Sequence, residues 1–209
     1  MTKRLGDEVT ETDRFAAAIE RIDAANRDDP NLEFHKSRYH PKELLYAQRM
    51  TQWLQRFAPD ALEAVGLAAR AQHICRWKIR RSEYPHNRQG YRKWRSELGR
   101  FHAQMTSTIL RDVGYDEPTI EHVQSLLRKE RLKSDPDCQL LEDVICLVFL
   151  EHYAPQFVKE HDEAKLLNIF RRTLAKMSDR GRQTTLAMSL DPSVTVIIDK
   201  VGKILTGPK

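Results

Sequence analysis

The sequence has few cysteines and no long apolar run. Cys75, Cys138 and Cys146 are the three cysteines in 209 residues, and no two of them have CxxC spacing. An odd number without paired spacing argues against a disulfide framework and a structural zinc site, and it predicts buried free thiols in a reducing cytosol. No stretch approaches 18 consecutive apolar residues, so we expect no transmembrane helix. The polar segment 1–13 lacks the apolar region of a secretory signal, so we expect a cytoplasmic protein.

Three common catalytic motifs are also absent. The sequence contains no GxxxxGK[ST] phosphate-binding loop, no GxSxG and no HExxH, which excludes P-loop kinases, α/β-hydrolases and zincins. No internal repeat and no low-complexity segment occurs. What the chain does have is 31% charged residues and a formal net charge of +5. A charged fraction this high is typical of long helices with solvated faces.

Helical periodicity runs through most of the chain, and strand alternation is almost absent. The segments 27–41 and 76–90 lose the periodicity and are predicted to be loops. The length suits one domain. We therefore predict an all-α, single-domain helical bundle over residues 13–205, with a flexible N-terminus over 1–12 and a tail over 206–209. Helices are predicted at about 15–26, 42–57, 59–75, 91–113, 116–127, 140–150, 162–177 and 192–205.

Two carboxylates interrupt the most apolar of these helices. Glu142 and Asp143 lie within the sequence LLEDVICLVFL, so at least one of them points to the interior or to the rim of a cavity. A buried carboxylate is costly unless it is paired, protonated or bound to a metal. One interpretation is a salt bridge to an arginine such as Arg49 or Arg76. The others are a ligand-binding or catalytic role, and simple exposure.

Two histidines lie on faces predicted to point inward. His73 ends a helix of small residues, and His102 follows Phe101 on the inward face of the predicted helix 91–113. A lone histidine in such a place is usually a core residue, but two of them together with Asp143 favour a metal site. We predict a divalent metal (Mn, Fe, Zn or Mg) bound by His73, His102 and Asp143. Such a metal would lower the pKa of a bound water and supply a nucleophile.

The segment RWKIRRSEYPHNRQG, residues 76–90, is the longest basic loop in the chain. Guanidinium groups bind phosphate through paired hydrogen bonds, and interleaved aromatic rings offer stacking faces. The alternative is a solvated loop whose aromatic side chains anchor the core. RNA is a less favoured partner than a small ligand, because acidic residues are interspersed through most helices. The residues predicted to bind a small anionic or phosphorylated ligand are Gln72, Arg76, Trp77, Arg80, Tyr84, Arg88 and Arg92.

Several long segments resemble the family named domain of unknown function 4202. They are PKELLYAQRMTQWL, AARAQHICRWKIRRSEYP, GYRKWRSELGRFHAQMTSTILRDVGYDEPTIEHVQSLLRKERLKSDPD and LLEDVICLVFLEHY. The resemblance covers about Phe15 to Leu190 and implies no particular reaction.

A weaker resemblance is to metal-dependent phosphohydrolases of the HD superfamily, and it implies an HD-domain-like fold. Gln72 and His73 stand where that family has its His-Asp pair, and Tyr46 or Ala47 stands near its first histidine. The first histidine is thus missing and the doublet is changed. The resemblance therefore implies a rearranged metal site. His102 matches a downstream histidine and Asp143 the final aspartate, and the residues that could complete the site are Glu142, His35 and His40.

Three functional hypotheses follow. The first is an HD-like hydrolase of a phosphorylated small molecule or nucleotide, in which Asp143, Glu142 and Arg49 are catalytic and arginines stabilise the charge that develops at phosphorus. The second is a non-catalytic binding module for a nucleotide, RNA or another anionic ligand. The third is a structural protein in which the buried polar residues form a satisfied network.

Overall fold

A computed structural model describes residues 11–132 and 134–206 of the chain. These residues belong to two compact units, one comprising the chain up to Thr51 together with Asp60–Arg131, the other comprising Gln52–Pro59 and the chain from Leu132 onward. The described residues form ten α-helices and one short hairpin, so the predicted all-α class is confirmed. Of the predicted flexible ends, residues 1–10 and 207–209 lie outside the described residues. The single domain and its HD-like character stay predictions.

The first unit is built around four helices that pack on one another. Helix α3 packs against α5, α4 runs along α5, and α1 contacts both α3 and α4. Fully buried side chains such as Leu67, Leu110 and Leu126 form the core between them. The elements are α1 (Glu11–Arg27), β1 (Leu32–His35), β2 (Arg38–Pro41), the first part of α2 (Lys42–Phe57), α3 (Glu63–Ala71), 3₁₀ turns at Arg76–Lys78 and Arg81–Glu83, α4 (Arg88–Asp112) and α5 (Glu117–Arg128).

The hairpin corrects the prediction of a loop over residues 27–41. Strands β1 and β2 pair antiparallel, with Leu32 opposite Pro41 and His35 opposite Arg38. The two residues of the turn, Lys36 and Ser37, both have positive φ, 47° and 67°. That conformation is typical of the tight hairpin turn usually marked by Asn-Gly. The sequence does not predict this hairpin, because Lys-Ser is not a typical turn pair and each strand has only four residues.

Helix α3 is shorter than predicted, and this difference shapes the candidate site. The predicted helix ran from Pro59 to about Cys75, whereas α3 ends at Ala71. The chain then turns, and Cys75 adopts a left-handed conformation (φ 50°) while its N–H donates to the side chain of Asn26. Gln72 and His73 therefore lie in the turn after α3 and not within the helix.

Helix α4 begins three residues earlier than predicted. Its N-cap is Asn87, whose side chain accepts a hydrogen bond from the N–H of Gly90, as N-cap residues do. Gly90 has no substitute here, because a Cβ would lie 2.2 Å from the carbonyl oxygen of Pro85. The helix then runs without a break to Asp112. Gly114, which follows the end of this helix, has φ +86°, the left-handed conformation that glycine adopts readily after a helix.

In the second unit, helix α6 packs against α8 and α9, and α10 packs against α7 and α8. The core includes Leu141, Leu147 and Phe170. All three cysteines of the chain are buried free thiols, as predicted. No helix among residues 11–132 and 134–206 has the length and apolarity needed to span a membrane. The elements are α6 (Pro136–Val148), a π-helical segment (Phe149–Tyr153), α7 (Ala154–Glu160), α8 (Glu163–Lys176), α9 (Asp179–Ala187) and α10 (Pro192–Thr206).

Candidate functional site

A cavity of about 410 Å³ lies in the first unit, between the turn after α3, the middle of α4 and the end of α5. Its volume is within the range of small-molecule sites. Most of its polar lining is either basic or an uncharged amide or imidazole. The residues that matter chemically are Gln72, His73, Arg95, Arg100, His102, Arg128, Lys129 and Glu130.

Helix geometry brings these residues together. Arg95, Gly99 and His102 lie four and three residues apart on α4, so they share one face of that helix and line the cavity. Gly99 sits close to α5, where a Cβ would lie 3.4 Å from the carbonyl oxygen of Leu127. Lys129 is the C-cap of α5 in a left-handed conformation, φ 56°. The ends of two elements and the middle of a third thus converge.

Positive charge dominates the lining of this cavity. Arg95, Arg100, Arg128 and Lys129 contribute four cations and Glu130 one carboxylate. Arg128 pairs with Glu130 at 2.8 Å, which partly neutralises that side. The remaining charge makes the cavity attractive to anions.

His102 lines the cavity, and one of its ring nitrogens has no hydrogen-bond partner among the described residues. Its ring hydrogen bonds to the backbone of Gln72, and its Nε2 is buried without a hydrogen-bond partner among the described residues. The bond to Gln72 is therefore made by Nδ1, which donates to the carbonyl. Burial, then His73 and two arginines, lower the pKa of His102 well below its usual value. At neutral pH the ring is uncharged and Nε2 accepts.

The side chain of Gln72 repeats this situation. Its Oε1 is buried and has no hydrogen-bond partner among the described residues. A buried polar atom left without a partner costs about 1–3 kcal/mol. Two residues that line one cavity thus each carry such an atom, and each calls for an explanation. The arrangement is typical of a site that receives a polar ligand.

His73 is held by contacts on its edge and on its face. Its Nδ1 lies 3.0 Å from Oε2 of Glu43, and Tyr46 stacks on the ring with 3.9 Å between centroids. Nη1 of Arg76 is 3.2 Å from Nδ1 and 3.1 Å from Nε2. Because these distances are almost equal, the guanidinium lies over the ring face and not along a nitrogen lone pair. The imidazole is thus fixed in orientation.

The protonation of this pair follows from its surroundings. Burial raises the pKa of Glu43 to about 6. Burial, then Arg76, Arg95 and Lys129, lower the pKa of His73 well below its usual value. Near pH 7 the carboxylate is therefore mostly ionised and the imidazole neutral. In that state Nδ1–H donates to Glu43, and Nε2 is a basic nitrogen on a residue that lines the cavity.

The predicted ligand-binding residues are only partly at this cavity. Gln72 lines it, and Arg76 contacts His73 while its guanidinium lies 5.1 Å from the centre of the Trp94 ring. The other predicted side chains are elsewhere: Tyr84 donates to Glu97, Trp77 is half-buried, and the three exposed arginines are Arg80, Arg88 and Arg92. Their role in ligand binding stays a prediction.

The residues predicted from the sequence to bind a ligand include none of the four cations that line this cavity. Arg95 has a signal, because it lies seven residues before His102 and therefore shares its helix face. No sequence pattern indicates the other three cations, Arg100, Arg128 and Lys129. They lie at the cavity because of the way α5 packs on α4. Glu43 was missed as well, since a glutamate in the first turn of a helix is ordinary at an N-terminus.

The predicted catalytic residues have structural partners. Arg49 is buried in α2 and donates to Glu33 of β1 at 2.5 Å, which ties the hairpin to the helix. In the second unit Glu142 and Asp143 are both buried, as expected for one of them at least. Glu142 lies 3.6 Å from Nζ of Lys176, so this ion pair is with a lysine, where the sequence suggested an arginine such as Arg49 or Arg76.

Asp143 holds the start of helix α9. Its Oδ1 accepts from the N–H of Ser178 at 2.8 Å and from Gln139 at 3.1 Å. Its Oδ2 accepts from the hydroxyl of Ser178 at 2.5 Å. Gly181 makes room for the carboxylate, because a Cβ there would lie 2.7 Å from Oδ1. Both oxygens of Asp143 are thus engaged within the second unit.

The predicted metal ligands are therefore distributed over both units. The rings of His73 and His102 lie 6.1 Å apart between centroids, in the first unit. Asp143 belongs to the second unit, where its oxygens serve hydrogen bonds. The lining cations would also disfavour a divalent cation at the two histidines. His35 and His40 lie on the hairpin, and the centroids of their rings are 6.1 Å apart. The metal and its ligand set stay predictions.

Comparison with known proteins places the chain in one family. No curated protein and no solved structure matches it. The family model described as domain of unknown function DUF4202 matches residues 16–198, which is most of the chain. The match agrees with the segments from which the resemblance was predicted. The chain belongs to the DUF4202 family.

Proposed function

We propose that this protein binds a small phosphorylated molecule in the cavity of its first unit. The observation that supports the proposal is the joint lining of one cavity by Arg95, Arg100, Arg128 and Lys129. Arginine stays charged at every physiological pH and offers paired donors that match the geometry of a phosphate group. A cavity of about 410 Å³ suits a small molecule better than an RNA strand, which needs an extended basic track.

Removal of one lining charge tests the proposal. Adenosine 5′-monophosphate is titrated calorimetrically into the wild type and into Arg95→Gln. We expect the substitution to weaken binding about tenfold, since a charge-assisted hydrogen bond contributes about 1.5–3 kcal/mol. Arg111→Gln is the matched control, because Arg111 lies on the same helix and pairs with Glu117 away from the cavity. Equal affinities in all three proteins would contradict the proposal.

A second candidate function is hydrolysis of the bound phosphoester, and the contact between Glu43 and His73 favours it. A neutral imidazole oriented by a carboxylate is the arrangement of a general base. In this reaction a water oxygen attacks phosphorus, its proton goes to Nε2 of His73, and the bond from phosphorus to the ester oxygen breaks. The leaving alcohol then takes up a proton.

Release of inorganic phosphate distinguishes hydrolysis from binding alone. We expect Glu43→Gln to lower the rate by about 10²-fold and to leave the affinity for adenosine 5′-monophosphate within a few fold. The metal-dependent form of the reaction, as in HD-like hydrolases, predicts that added Mn²⁺, Fe²⁺, Zn²⁺ or Mg²⁺ raises the rate. Binding without any release of phosphate, with or without metal, would favour a non-catalytic binding module.

A further inference from the structure

We propose that the ligand carries neutral hydrogen-bond donors, hydroxyl or amino groups, next to its phosphate, and that these donors bind Gln72 and His102. This inference rests on the proposed binding of a phosphorylated molecule and specifies its chemical class. It goes beyond the charge of the cavity because it comes from two uncharged buried atoms without a hydrogen-bond partner among the described residues, Oε1 of Gln72 and Nε2 of His102, which belong to residues that line the same cavity.

The acceptor character of His102 is set by its other nitrogen. Nδ1 donates to the backbone carbonyl of Gln72, since the ring bonds to that backbone and Nε2 is the nitrogen without a partner. A neutral imidazole has one donor and one acceptor nitrogen. Nε2 therefore carries a lone pair. Only 4% of His102 is exposed, so bulk water does not satisfy that nitrogen.

Gln72 adds a second acceptor in the same surroundings. It is also 4% exposed, and no described residue donates to its Oε1. It lies one residue before His73 in the turn after α3, and its own carbonyl holds the His102 ring. The backbone carbonyl of Gln72 thus fixes the tautomer of His102, and both residues line the cavity.

Two acceptors cannot bind a phosphate oxygen, which is itself an acceptor at neutral pH. The phosphate must therefore contact the cationic part of the lining, which includes Arg95 and Lys129. The part with Gln72 and His102 requires O–H or N–H groups. A molecule that satisfies both parts has a phosphate at one end and donors at the other, as a sugar phosphate or a nucleoside monophosphate does. A bare phosphate ester satisfies only the first.

The test compares phosphate monoesters of equal charge. Methyl phosphate, ribose 5-phosphate and adenosine 5′-monophosphate are titrated calorimetrically into the full chain. We expect at least one of the latter two to bind about tenfold or more tightly than methyl phosphate. Purine riboside 5′-monophosphate, which lacks the amino group of adenine, separates the two sources of donors. Loss of the tenfold gain with this analogue assigns the donor to the base amine, and its retention assigns it to the sugar hydroxyls.

A substitution then tests the acceptor directly. Gln72→Met keeps the length of the side chain and removes Oε1. We expect it to reduce the preference for the donor-bearing phosphates, because Nε2 of His102 remains, while it leaves the affinity for methyl phosphate unchanged. Gln104→Met is the matched control, because Gln104 is an exposed glutamine on α4, and it should leave the preference intact.

A spectroscopic measurement covers His102 without a substitution. The ¹⁵N resonance of its Nε2 should move when the tightest donor-bearing phosphate is added, and should stay in place with methyl phosphate. Equal binding of all the monoesters, or a preference that Gln72→Met leaves unchanged, would overturn this inference and leave phosphate binding standing. Binding of none of them would overturn the proposed function itself.

Discussion

The carboxylate of Glu43 lies 3.0 Å from Nδ1 of His73, and both side chains are mostly buried, with 11% and 12% of their area exposed. Burial raises the pKa of the acid to about 6 and lowers the pKa of the imidazole. At neutral pH Glu43 is therefore mostly ionised, and its carboxylate accepts a hydrogen bond from the uncharged imidazole of His73. This state orients a base towards the cavity, and it has consequences for stability that can be measured.

We predict that Glu43 makes the stability of the protein depend on pH between 4.5 and 6. The folded-state pKa of about 6 exceeds the ordinary value of 4.5, so the folded protein binds the proton more tightly. The resulting stabilisation is present below pH 4.5 and is lost as pH rises through 6. Relative to Glu43→Gln, the wild type should lose about 2 kcal/mol over this interval. Urea unfolding at pH 4.5, 5.5 and 7 measures the difference, and a constant difference would contradict the prediction.

The histidines have the opposite dependence. Burial lowers the pKa of His102 well below 6.5, so the unfolded chain binds this proton more tightly than the folded protein. Stability is therefore lost as pH falls below 6.5. His102→Asn, which keeps a donor for the carbonyl of Gln72, should lose less stability than the wild type between pH 7 and pH 5. Parallel losses in the two proteins would show that His102 is not buried as an uncharged ring.

Asp143 is predicted to stabilise the second unit through its hydrogen bonds. Asp143→Ala removes the acceptor of both the N–H and the hydroxyl of Ser178, and we expect a loss of about 2–3 kcal/mol. Asp179→Ala is the control, because Asp179 is exposed and forms an ion pair with Arg182 at the surface. Affinity for adenosine 5′-monophosphate should be unchanged in both variants. A stable Asp143→Ala protein with lost affinity would favour the predicted role in the site.

The buried ion pair between Arg70 and Asp23 is predicted to contribute strongly to the stability of the first unit. Arg70 donates two hydrogen bonds to Asp23, at 2.6 and 2.5 Å, in buried surroundings. Asp23→Ala leaves a buried guanidinium without its partner, so we expect a loss of about 3–5 kcal/mol. Glu117→Ala, which breaks the exposed pair with Arg111, should cost less than about 1 kcal/mol. Chemical denaturation of both variants at pH 7 checks the contrast.

Much of the fold could be predicted because its signals are local. The periodicity of Leu45, Met50, Trp53 and Leu54 defines one buried face, and the predicted helix 42–57 coincides with α2. The predicted helix 116–127 corresponds to α5, and Asp116 is its N-cap. The hairpin was missed because Lys36 and Ser37 adopt left-handed conformations in its turn. Lysine and serine do not predict that conformation.

The candidate site depends on information that local patterns do not contain. The apolar pattern around Asp143 indicates burial, but its partner Ser178 lies 35 residues further along the chain. In the same way, the predicted ligand-binding arginines were those that lie close together in the sequence, in and next to the basic loop. The cavity instead combines Arg95 of α4 with Lys129 at the end of α5. Their proximity is a product of helix packing, which is a long-range property of the sequence.

A crystal structure of the protein grown with ribose 5-phosphate tests phosphate binding in this cavity most directly. We predict electron density for the phosphate within hydrogen-bond distance of Arg95 or Lys129. Density for the phosphate elsewhere on the protein, with the cavity filled by water alone at saturating ligand, would contradict that prediction.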